Sequence, residues 1–304
     1  MKRKFTLILL LNVLITTSAQ SQLIDNRTGR AFEDEMFFSE EFIENNNIES
    51  VRGESWIKRN GETMKKLPGG EEYVFGEEGK LKKLYKVRKM FGSLDTLHIL
   101  WDYNSHGNVV EKVESDKRGF YAERNEYGEE ERLEEKRYYR YSNKSTTRAR
   151  FEPREEYLIN KEQFEYKEII DTVTVRITLN NHGLPYKKVK TVKNSNGYLL
   201  SETLEYTVSG QKIRSVYSYN NNGWISSIKE EHSPGGNTSE KKFVYGEMGN
   251  LLFIDHFENG KKKYRTELIY DERMLLHSTI HRELESNIMN ITKYFFTFRK
   301  GDKE

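Results

Sequence analysis

Two histidines four residues apart, His277 and His281 in the segment HSTIH, come closest in this sequence to the spacing of a metal site. On a helix, residues at i and i+4 lie on one face and can share a metal ion. On a strand the same spacing separates the two side chains by about 13 Å, because each residue advances about 3.3 Å. The surrounding residues favour a strand, and no third ligand is evident nearby. We therefore predict two strand histidines and no metal or other cofactor.

Carboxylates are concentrated in the run YGEEERLEEKRYYRY, from Tyr127 to Tyr141. A catalytic acid–base pair needs a pocket that separates the pKa values of its two carboxyl groups, and the sequence indicates none around this run. The chain also lacks a nucleophile elbow, a phosphate-binding loop and a zinc-binding helix motif. We predict that this run is a solvated sheet or loop face and that the protein has no catalytic residues.

Aromatic residues offer the remaining chemistry. The chain has 19 tyrosines, 16 phenylalanines and three tryptophans, Trp56, Trp101 and Trp224. An indole ring has an apolar face and a polar N–H group, which suits it to stacking on a glycan or lining a protein-binding face. The alternative is that these rings pack a thin sheet. Trp101 and Trp224 are associated with turn motifs, and they are the candidate binding residues.

The elements that would position these residues follow an N-terminal export signal. The chain begins MKRK, continues with the apolar run Phe5 to Ile15, and then carries small and polar residues up to Ser21. This order is typical of a secretory signal peptide, with cleavage after Ser21. The apolar run is shorter than the roughly 20 residues that a membrane helix needs, although a short membrane anchor is an alternative. We predict an exported protein whose mature chain has no transmembrane segment.

Composition narrows the class of protein further. There are no cysteines, which excludes disulfides, lipid attachment through cysteine and thiolate metal sites. Secreted eukaryotic domains of this size usually contain disulfides, so their absence favours the bacterial envelope. The net charge of +2 includes three basic residues of the signal segment, so the mature chain is close to neutral. Nucleic-acid binding would need a concentrated basic face, and we predict none.

A short motif recurs along the chain: an aromatic residue, a glycine four positions later and an aliphatic residue two positions after that. Full copies occur at Phe75/Gly79/Leu81, Tyr103/Gly107/Val109, Tyr219/Gly223/Ile225 and Tyr245/Gly249/Leu251. Partial copies start at Tyr127, Leu179, Lys193, Tyr206 and Tyr270. The starts are separated by approximately one, two or four times thirteen residues. One strand and one tight turn occupy about thirteen residues, so each unit is one strand and one reversal.

These repeats predict a mostly β protein, an up-and-down antiparallel meander. Residues alternate along the strands, with Tyr264, Thr266 and Leu268 on one face and Arg265 and Glu267 on the other. Both faces carry charged residues, whereas a sandwich or a closed barrel would need one continuous apolar face. We therefore expect a single-layer or curled elongated sheet.

The chain before the repeats differs in character. Ser39 is a good helix N-cap and is followed by two acidic residues, which suit the first turn of a helix. We predict a signal peptide at residues 1–21, a leader with one short helix and the first strands at residues 22–70, and a β-repeat domain at residues 71–304. The first strand should run from Ile48 to Arg59. The helix should cover the exposed first edge of the sheet, as capping elements do in repeat proteins.

The motif resembles that of the YD (RHS-type) repeat family, whose units read Tyr-Asp-x-x-Gly-x-Leu. Tyr270 and Asp271 form the literal dipeptide, with Met274 at the glycine position, and the copy at Tyr219 has Asn220 where the family has Asp. The segment FENGKKKYRTELIYDE is also similar to MORN-type antitoxin repeats. Either resemblance implies an antiparallel β scaffold, and the first implies an extracellular or envelope location with no active site of its own.

Together these observations predict an exported, non-enzymatic binding or scaffold protein of the bacterial envelope. Its partner would be another protein or a surface polysaccharide. One alternative is an envelope hydrolase or carbohydrate-active enzyme, which would need a pocket with two carboxylates about 5 to 10 Å apart. Another alternative is an immunity-type partner of a secreted toxin.

Overall fold

Eighteen antiparallel strands and one short helix form the described part of the chain in a computed structural model, which covers residues 22–90, 93–116, 119–144 and 152–300. The predicted signal peptide, residues 1–21, lies outside the described residues. The helix α1 spans Glu40–Asn45. The strands in chain order are β1 Ile48–Lys58, β2 Lys65–Phe75, β3 Leu81–Met90, β4 Ser93–Tyr103, β5 Val109–Asp116, β6 Gly119–Tyr127, β7 Leu133–Asn143, β8 Pro153–Ile170, β9 Val173–Leu179, β10 Pro185–Lys193, β11 Leu199–Tyr206, β12 Lys212–Tyr219, β13 Ile225–Ser233, β14 Thr238–Tyr245, β15 Leu251–Glu258, β16 Lys261–Tyr270, β17 Leu276–Glu283 and β18 Met289–Phe298. Within these ranges no helix is long and apolar enough to cross a membrane.

The sheet is the predicted meander, but it is closed. Each strand pairs with its neighbours in sequence, and β18 also pairs with β1, from Ile48 opposite Phe298 to Lys58 opposite Met289. The prediction of a single-layer or curled elongated sheet that does not close was wrong, because closure did not need one apolar face along its whole length. The apolar residues of the inner face are concentrated toward one end, where the leader occupies part of the interior of the barrel, which we call the lumen.

The leader has the predicted helix but not the predicted position. The Ser39 side chain accepts a hydrogen bond from the Phe42 backbone N–H at 3.3 Å, as an N-cap does. The helix does not cover a sheet edge, because β1 has β18 on one side and β2 on the other. Residues 22–47 instead pack inside the barrel. Their buried apolar side chains are Leu23, Ile24, Ala31, Phe37, Phe38, Phe42 and Ile43, which belong to the same core as residues of β1–β4 and β12–β18.

Cross-strand register separates an inner from an outer face on every strand. On β16, Leu268 is buried in the core shared with the leader, and Tyr264 and Thr266 lie on the same face. Arg265 and Glu267 point to the outer face, so the alternation predicted for this strand is confirmed. The outer face pairs charges across strands, for example Arg265 with Asp255 at 2.6 Å. On β9 and β10, which the leader does not cover, the inner face carries both polar residues, such as Arg176, and apolar residues, such as Val189.

The best copies of the repeated motif all lie at one end of the barrel. The turns that start at positions 75, 103, 127, 193, 219, 245 and 270 connect an even-numbered strand to the next odd-numbered one. Successive strands run in opposite directions, so these turns share the end that contains the leader. The partial copies at Leu179 and Tyr206 lie at the opposite end. The stronger repeat is therefore a hairpin of about 26 residues, made of two thirteen-residue units.

Tyrosine hydroxyl groups link these turns into a ladder. Each hydroxyl donates to the backbone carbonyl of the aliphatic residue in the preceding turn motif, at 2.6 to 3.0 Å: Tyr103 to Leu81, Tyr127 to Val109, Tyr219 to Leu199, Tyr245 to Ile225 and Tyr270 to Leu251. Tyr166 of β8 donates to Leu133 in the same way. The motif tyrosine also pairs across the hairpin with the aliphatic residue of its own turn, as Tyr219 does with Ile225.

The residue after the motif tyrosine fixes the turn itself. The Asn220 side-chain oxygen accepts hydrogen bonds from the backbone N–H groups of Asn222 and Trp224, both at 3.0 Å. Asp271 makes the same two bonds to Arg273 and Leu275, both at 2.9 Å. Asn and Asp thus have one structural role here, closure of an Asx turn.

Removing one rung of the ladder should have a measurable cost. We expect Tyr270→Phe to lower the free energy of unfolding by about 0.5–1.5 kcal/mol, because the Leu251 carbonyl loses its donor. Tyr198→Phe is the matched control, since the Tyr198 hydroxyl forms no hydrogen bond with a described residue. Urea unfolding followed by circular dichroism measures both variants. Equal stability of the two variants would show that the ladder does not contribute.

Candidate functional site

A cavity of about 1630 Å³ opens at the end of the barrel that holds the leader. The leader packs against strands on either side of the lumen but does not cover the inner faces of β9 to β11. The strand residues that line the resulting cleft include Arg176, Lys187, Val189, Tyr198, Glu202, Tyr217, Tyr219, Trp224 and Tyr245. The cleft is therefore bounded by the leader on one side and by these strands and their turns on the other.

Specific contacts hold the leader beside this cleft. The Asn26 amide donates to the Tyr245 hydroxyl at 2.8 Å, and its oxygen accepts from the Ala31 backbone N–H at 3.2 Å. Gly29 has φ +71°, a conformation that favours glycine, and a Cβ there would lie 2.2 Å from Cδ1 of Ile228 and would displace that side chain of β13. The leader is thus attached to β13 and β14 at one border of the cleft.

Ion pairs between the leader and the lumen wall add to these contacts. Glu33 pairs with Lys241 of β14, and Glu35 lies 3.5 Å from Lys112 of β5. Acidic residues of the leader therefore neutralise lysines on two separate parts of the wall. Both pairs lie within the lumen, where water screens charge less than at an open surface.

Aromatic rings cover the turns that join β10 to β11, β12 to β13 and β14 to β15 at this end of the barrel. The Tyr198 and Tyr219 rings are 4.9 Å apart, and the Trp224 and Tyr245 rings are 5.3 Å apart. The Trp224 indole also packs against the neighbouring turn between β14 and β15. A Cβ on Gly249 of that turn would be 2.6 Å from the indole. Burial raises the pKa of Tyr245 to about 12, although the hydrogen bond from Asn26 opposes the shift. Tyr245 is thus a neutral hydroxyl at pH 7.

The structure separates the two tryptophans proposed for binding. Trp224 is half-buried and lines the cleft. Trp101 is 3% exposed, packs in the core on β4 and has Lys112 Nζ 5.8 Å from its ring centre, so neither ring face is open to a ligand. Trp101 lies two residues before the turn motif that starts at Tyr103, and its side chain faces the lumen. Trp56 lies on the outer face, between Lys66 and Lys293 at 5.8 and 5.0 Å.

Glu40 is the cleft carboxyl group whose pKa is raised above its usual value. Glu40 is the first residue of α1 and lines the cleft. Partial burial raises its pKa, while Lys80 and Arg27 oppose the shift. A carboxyl group with a raised pKa can serve as a general acid. Glu40 was not predicted as a functional residue, because an acidic residue directly after the N-cap Ser39 is already explained by the first turn of a helix.

Two carboxylates of the run from Tyr127 to Tyr141 form ion pairs with basic side chains. Glu130 pairs with Arg132 at 3.0 Å, and Glu135 pairs with Lys161 at 3.0 Å. Burial alone would raise the pKa of Glu135, but Lys161 and Arg137 lower it below its usual value. Glu135 is therefore charged and paired.

His277 and His281 both lie on β17, the strand that the sequence predicted. The register shifts after the turn, so His277 falls between the paired residues Leu276 and Ser278 and is exposed. His281 faces the lumen, with Nδ1 3.1 Å from the Thr266 hydroxyl. The two rings do not share a face. Over the described ranges, no group of three or more His, Asp or Glu residues could hold a metal ion.

Sequence reasoning missed a second ring cluster deeper in the lumen. His256 stacks on Tyr264 at 4.2 Å, and His281 lies 4.6 Å from the same ring. Burial, helped by Lys241 and His281, lowers the pKa of His256 to about 4, so it is neutral at pH 7. The alternation of inward- and outward-facing residues on β15, β16 and β17 could have predicted this cluster, because His256, Tyr264 and His281 all take inward-facing positions.

Comparison with known proteins gives little further information. No family model and no curated protein matches the chain. Among solved structures, a porin-like protein from Bacteroides uniformis is 11% identical, with 83% of this chain and 97% of that chain covered and a TM-score of 0.29. A porin-like protein from Bacteroides vulgatus is 10% identical, with coverage of 83% and 98% and a TM-score of 0.32. A LolA superfamily protein from Nitrosomonas europaea is 7% identical, with coverage of 84% and 87% and a TM-score of 0.18. These TM-scores are below 0.5, and no conclusion rests on them.

Proposed function

We propose that this chain is an exported, non-enzymatic binding protein of the bacterial envelope, and that its ligand enters the lumen beside the leader. The observation that carries the proposal is the cleft of about 1630 Å³ bordered by Tyr198, Tyr219 and Trp224. Sites for small ligands are usually 300–1,000 Å³, so this cleft suits an extended chain. Ring faces along an open cleft favour a saccharide segment, and a protein segment is the competing ligand.

The outer surface supports a location in the aqueous part of the envelope. It carries charged pairs such as Arg124 with Glu111 at 2.7 Å and Lys229 with Glu231 at 2.9 Å. A wall that faced lipid would need an apolar band about 25 Å tall. The signal-like sequence at residues 1–21 gives the route of export. The resemblance to YD repeats agrees with an envelope scaffold, and the Asx turns and tyrosine ladder give a structural reason for the residues that carry it.

Trp224 is the residue through which the proposal can be tested. We expect Trp224→Ala to weaken binding to an oligosaccharide ligand by about tenfold, because stacking energy and contact area are both lost. Calorimetric titration against a panel of neutral and acidic oligosaccharides measures the effect. Trp56→Ala, on the outer face, is the matched control and should bind as the parent does. The proposed site is rejected if Trp224→Ala binds every ligand as tightly as the parent.

A second function is favoured by Glu40 alone. Its raised pKa and its position in the cleft fit the general acid of a carbohydrate-active enzyme. The same oligosaccharides should be analysed by chromatography after incubation with the protein. Intact ligand supports the binding function. New reducing ends that disappear with Glu40→Gln would establish the hydrolase instead.

A further inference from the structure

We propose that the part of the cleft wall formed by β9 and β10 binds the anionic groups of an acidic saccharide, through Arg176 and Lys187. The chemical class is a carboxylate- or sulfate-bearing oligosaccharide with its charges spaced along the chain. This inference rests on the proposed function, because it names the ligand of the same cleft.

Arg176 is positioned for a ligand and, within the described part of the chain, forms no hydrogen bond or ion pair through its side chain. Its Nε is buried and forms no hydrogen bond. Its guanidinium carbon lies 5.6 Å from the centre of the Phe164 ring, which holds the side chain against β8. Leaving a buried donor unpaired costs about 1–3 kcal/mol. An anion that accepts from Arg176 would remove that cost, and a planar guanidinium can bind a carboxylate or sulfate with two parallel hydrogen bonds.

Lys187 lies next to Arg176 on the same face. Arg176 is opposite Val189 in the ladder between β9 and β10, and Lys187 is two residues before Val189. The two cations are therefore diagonal neighbours, with Cβ atoms about 7 Å apart. Both line the cleft. Within the described ranges, neither side chain forms an ion pair or a hydrogen bond with another residue.

This lack of partners contrasts with the other lysines of the lumen. Three that face the interior have a carboxylate partner: Lys112 has Glu35, Lys136 has Glu123 and Lys241 has Glu33. Partly buried cations are usually paired, because desolvation of a lone charge is costly. The leader leaves the wall formed by β9 and β10 uncovered. On this same part of the wall, Arg176 and Lys187 form no ion pair with a carboxylate of the described residues.

Carboxylates elsewhere in the cleft restrict which anion fits. Glu202 lies on the same wall, on β11, and the leader contributes Asp34, Glu35 and Glu41 on the facing side. A densely charged polyanion would be repelled by these groups. A saccharide with one acidic group per one or two sugar units can place that group on Arg176 and Lys187 and turn neutral hydroxyl groups toward the leader.

The test uses matched pairs of oligosaccharides with the full mature chain. Hyaluronan octasaccharide and a sulfated chondroitin octasaccharide are each compared with their carboxyl-reduced or desulfated forms by calorimetric titration. We expect an acidic form to bind at least tenfold more tightly than its neutral partner. Arg176→Gln should reduce that binding by about tenfold to a hundredfold, and Lys187→Gln by a smaller factor. Lys188→Gln, on the outer face of the same strand, is the matched control and should have no effect.

The outcomes separate this inference from the proposed function. If neutral and acidic forms bind equally and Arg176→Gln has no effect, the anion site is rejected while the saccharide cleft stands. If no oligosaccharide binds, both are rejected. A poly-glutamate peptide is included as a third probe. If it binds more tightly than every saccharide and depends on Arg176, the ligand is an acidic polypeptide and the saccharide assignment is overturned.

Discussion

Phe38→Ala should lower the free energy of unfolding by about 3–5 kcal/mol, the usual cost of removing a buried phenylalanine ring. Phe38 is 6% exposed. Its ring meets Tyr73 at 5.1 Å and Phe75 at 5.6 Å, both edge to face, and such pairs add to the effect of burial. Because Phe38, together with Phe37, joins the leader to β2, its loss should weaken the docking of the whole leader.

The matched control for this prediction is Met36→Ala in the same leader. Met36 is 40% exposed, so its truncation should cost less than about 1 kcal/mol. Urea unfolding followed by circular dichroism measures global stability, and hydrogen exchange of the Ser39 and Asp25 amides reports on leader docking, since these amides bond to Leu23 and Phe37 within the leader. Equal effects of the two substitutions would show that the leader is not part of the core.

The same leader marks where prediction from sequence stopped. Ser39 indicated the helix correctly because an N-cap is a local signal. The position of the helix was not predictable in the same way, because it depends on contacts such as Asn26 with Tyr245, 219 residues apart in the chain. Closure has the same origin: Ile48 and Phe298 become neighbours only after all the intervening strands have formed.

The turns could be predicted from the sequence, but for some strand residues it could not be predicted whether the side chain faces the lumen or the outside. Tyr219, Gly223 and Ile225 gave the period and the turn, because tight turns restrict residue type locally. At each of the strong turns, the register shifts by one residue beside the motif, as between Ile269 and Tyr270. That shift, a β-bulge, changes which side chain faces inward. It explains why His277 and His281 do not share a face despite even spacing.

For the candidate site, sequence supplied one residue and the structure supplied the rest. Trp224 was predicted as a binding residue because it is an aromatic residue associated with a turn motif. Trp101 was indistinguishable from it by type, and only the assignment of inner and outer faces shows that its ring is buried. The sequence did not distinguish Arg176 and Lys187 from the many other basic residues, because Lys and Arg occur on most strands. Their lack of carboxylate partners is a property of the assembled lumen.

Gly79→Ala should be among the most destabilising single-methyl changes in the chain, with a loss of at least about 3 kcal/mol in the free energy of unfolding. Gly79 has φ +74°, and a left-handed conformation costs a non-glycine residue about 1–2 kcal/mol. In addition, a Cβ at this position would lie 2.0 Å from the Glu40 carbonyl oxygen and 2.7 Å from its carbonyl carbon. These are backbone atoms of α1, so the clash can be relieved only if the helix moves.

Gly183→Ala separates the two contributions. Gly183 has φ +73°, nearly the same as Gly79, but nothing lies within 4 Å of a Cβ there. Gly183→Ala should therefore lose only the free energy that the left-handed conformation costs, about 1–2 kcal/mol. The difference in unfolding free energy between the two variants then measures the contact between the turn at Gly79 and the leader. Because α1 borders the cleft, Gly79→Ala should also weaken ligand binding while Gly183→Ala should not. Equal losses for the two substitutions would mean that the turn at Gly79 does not hold the helix in place.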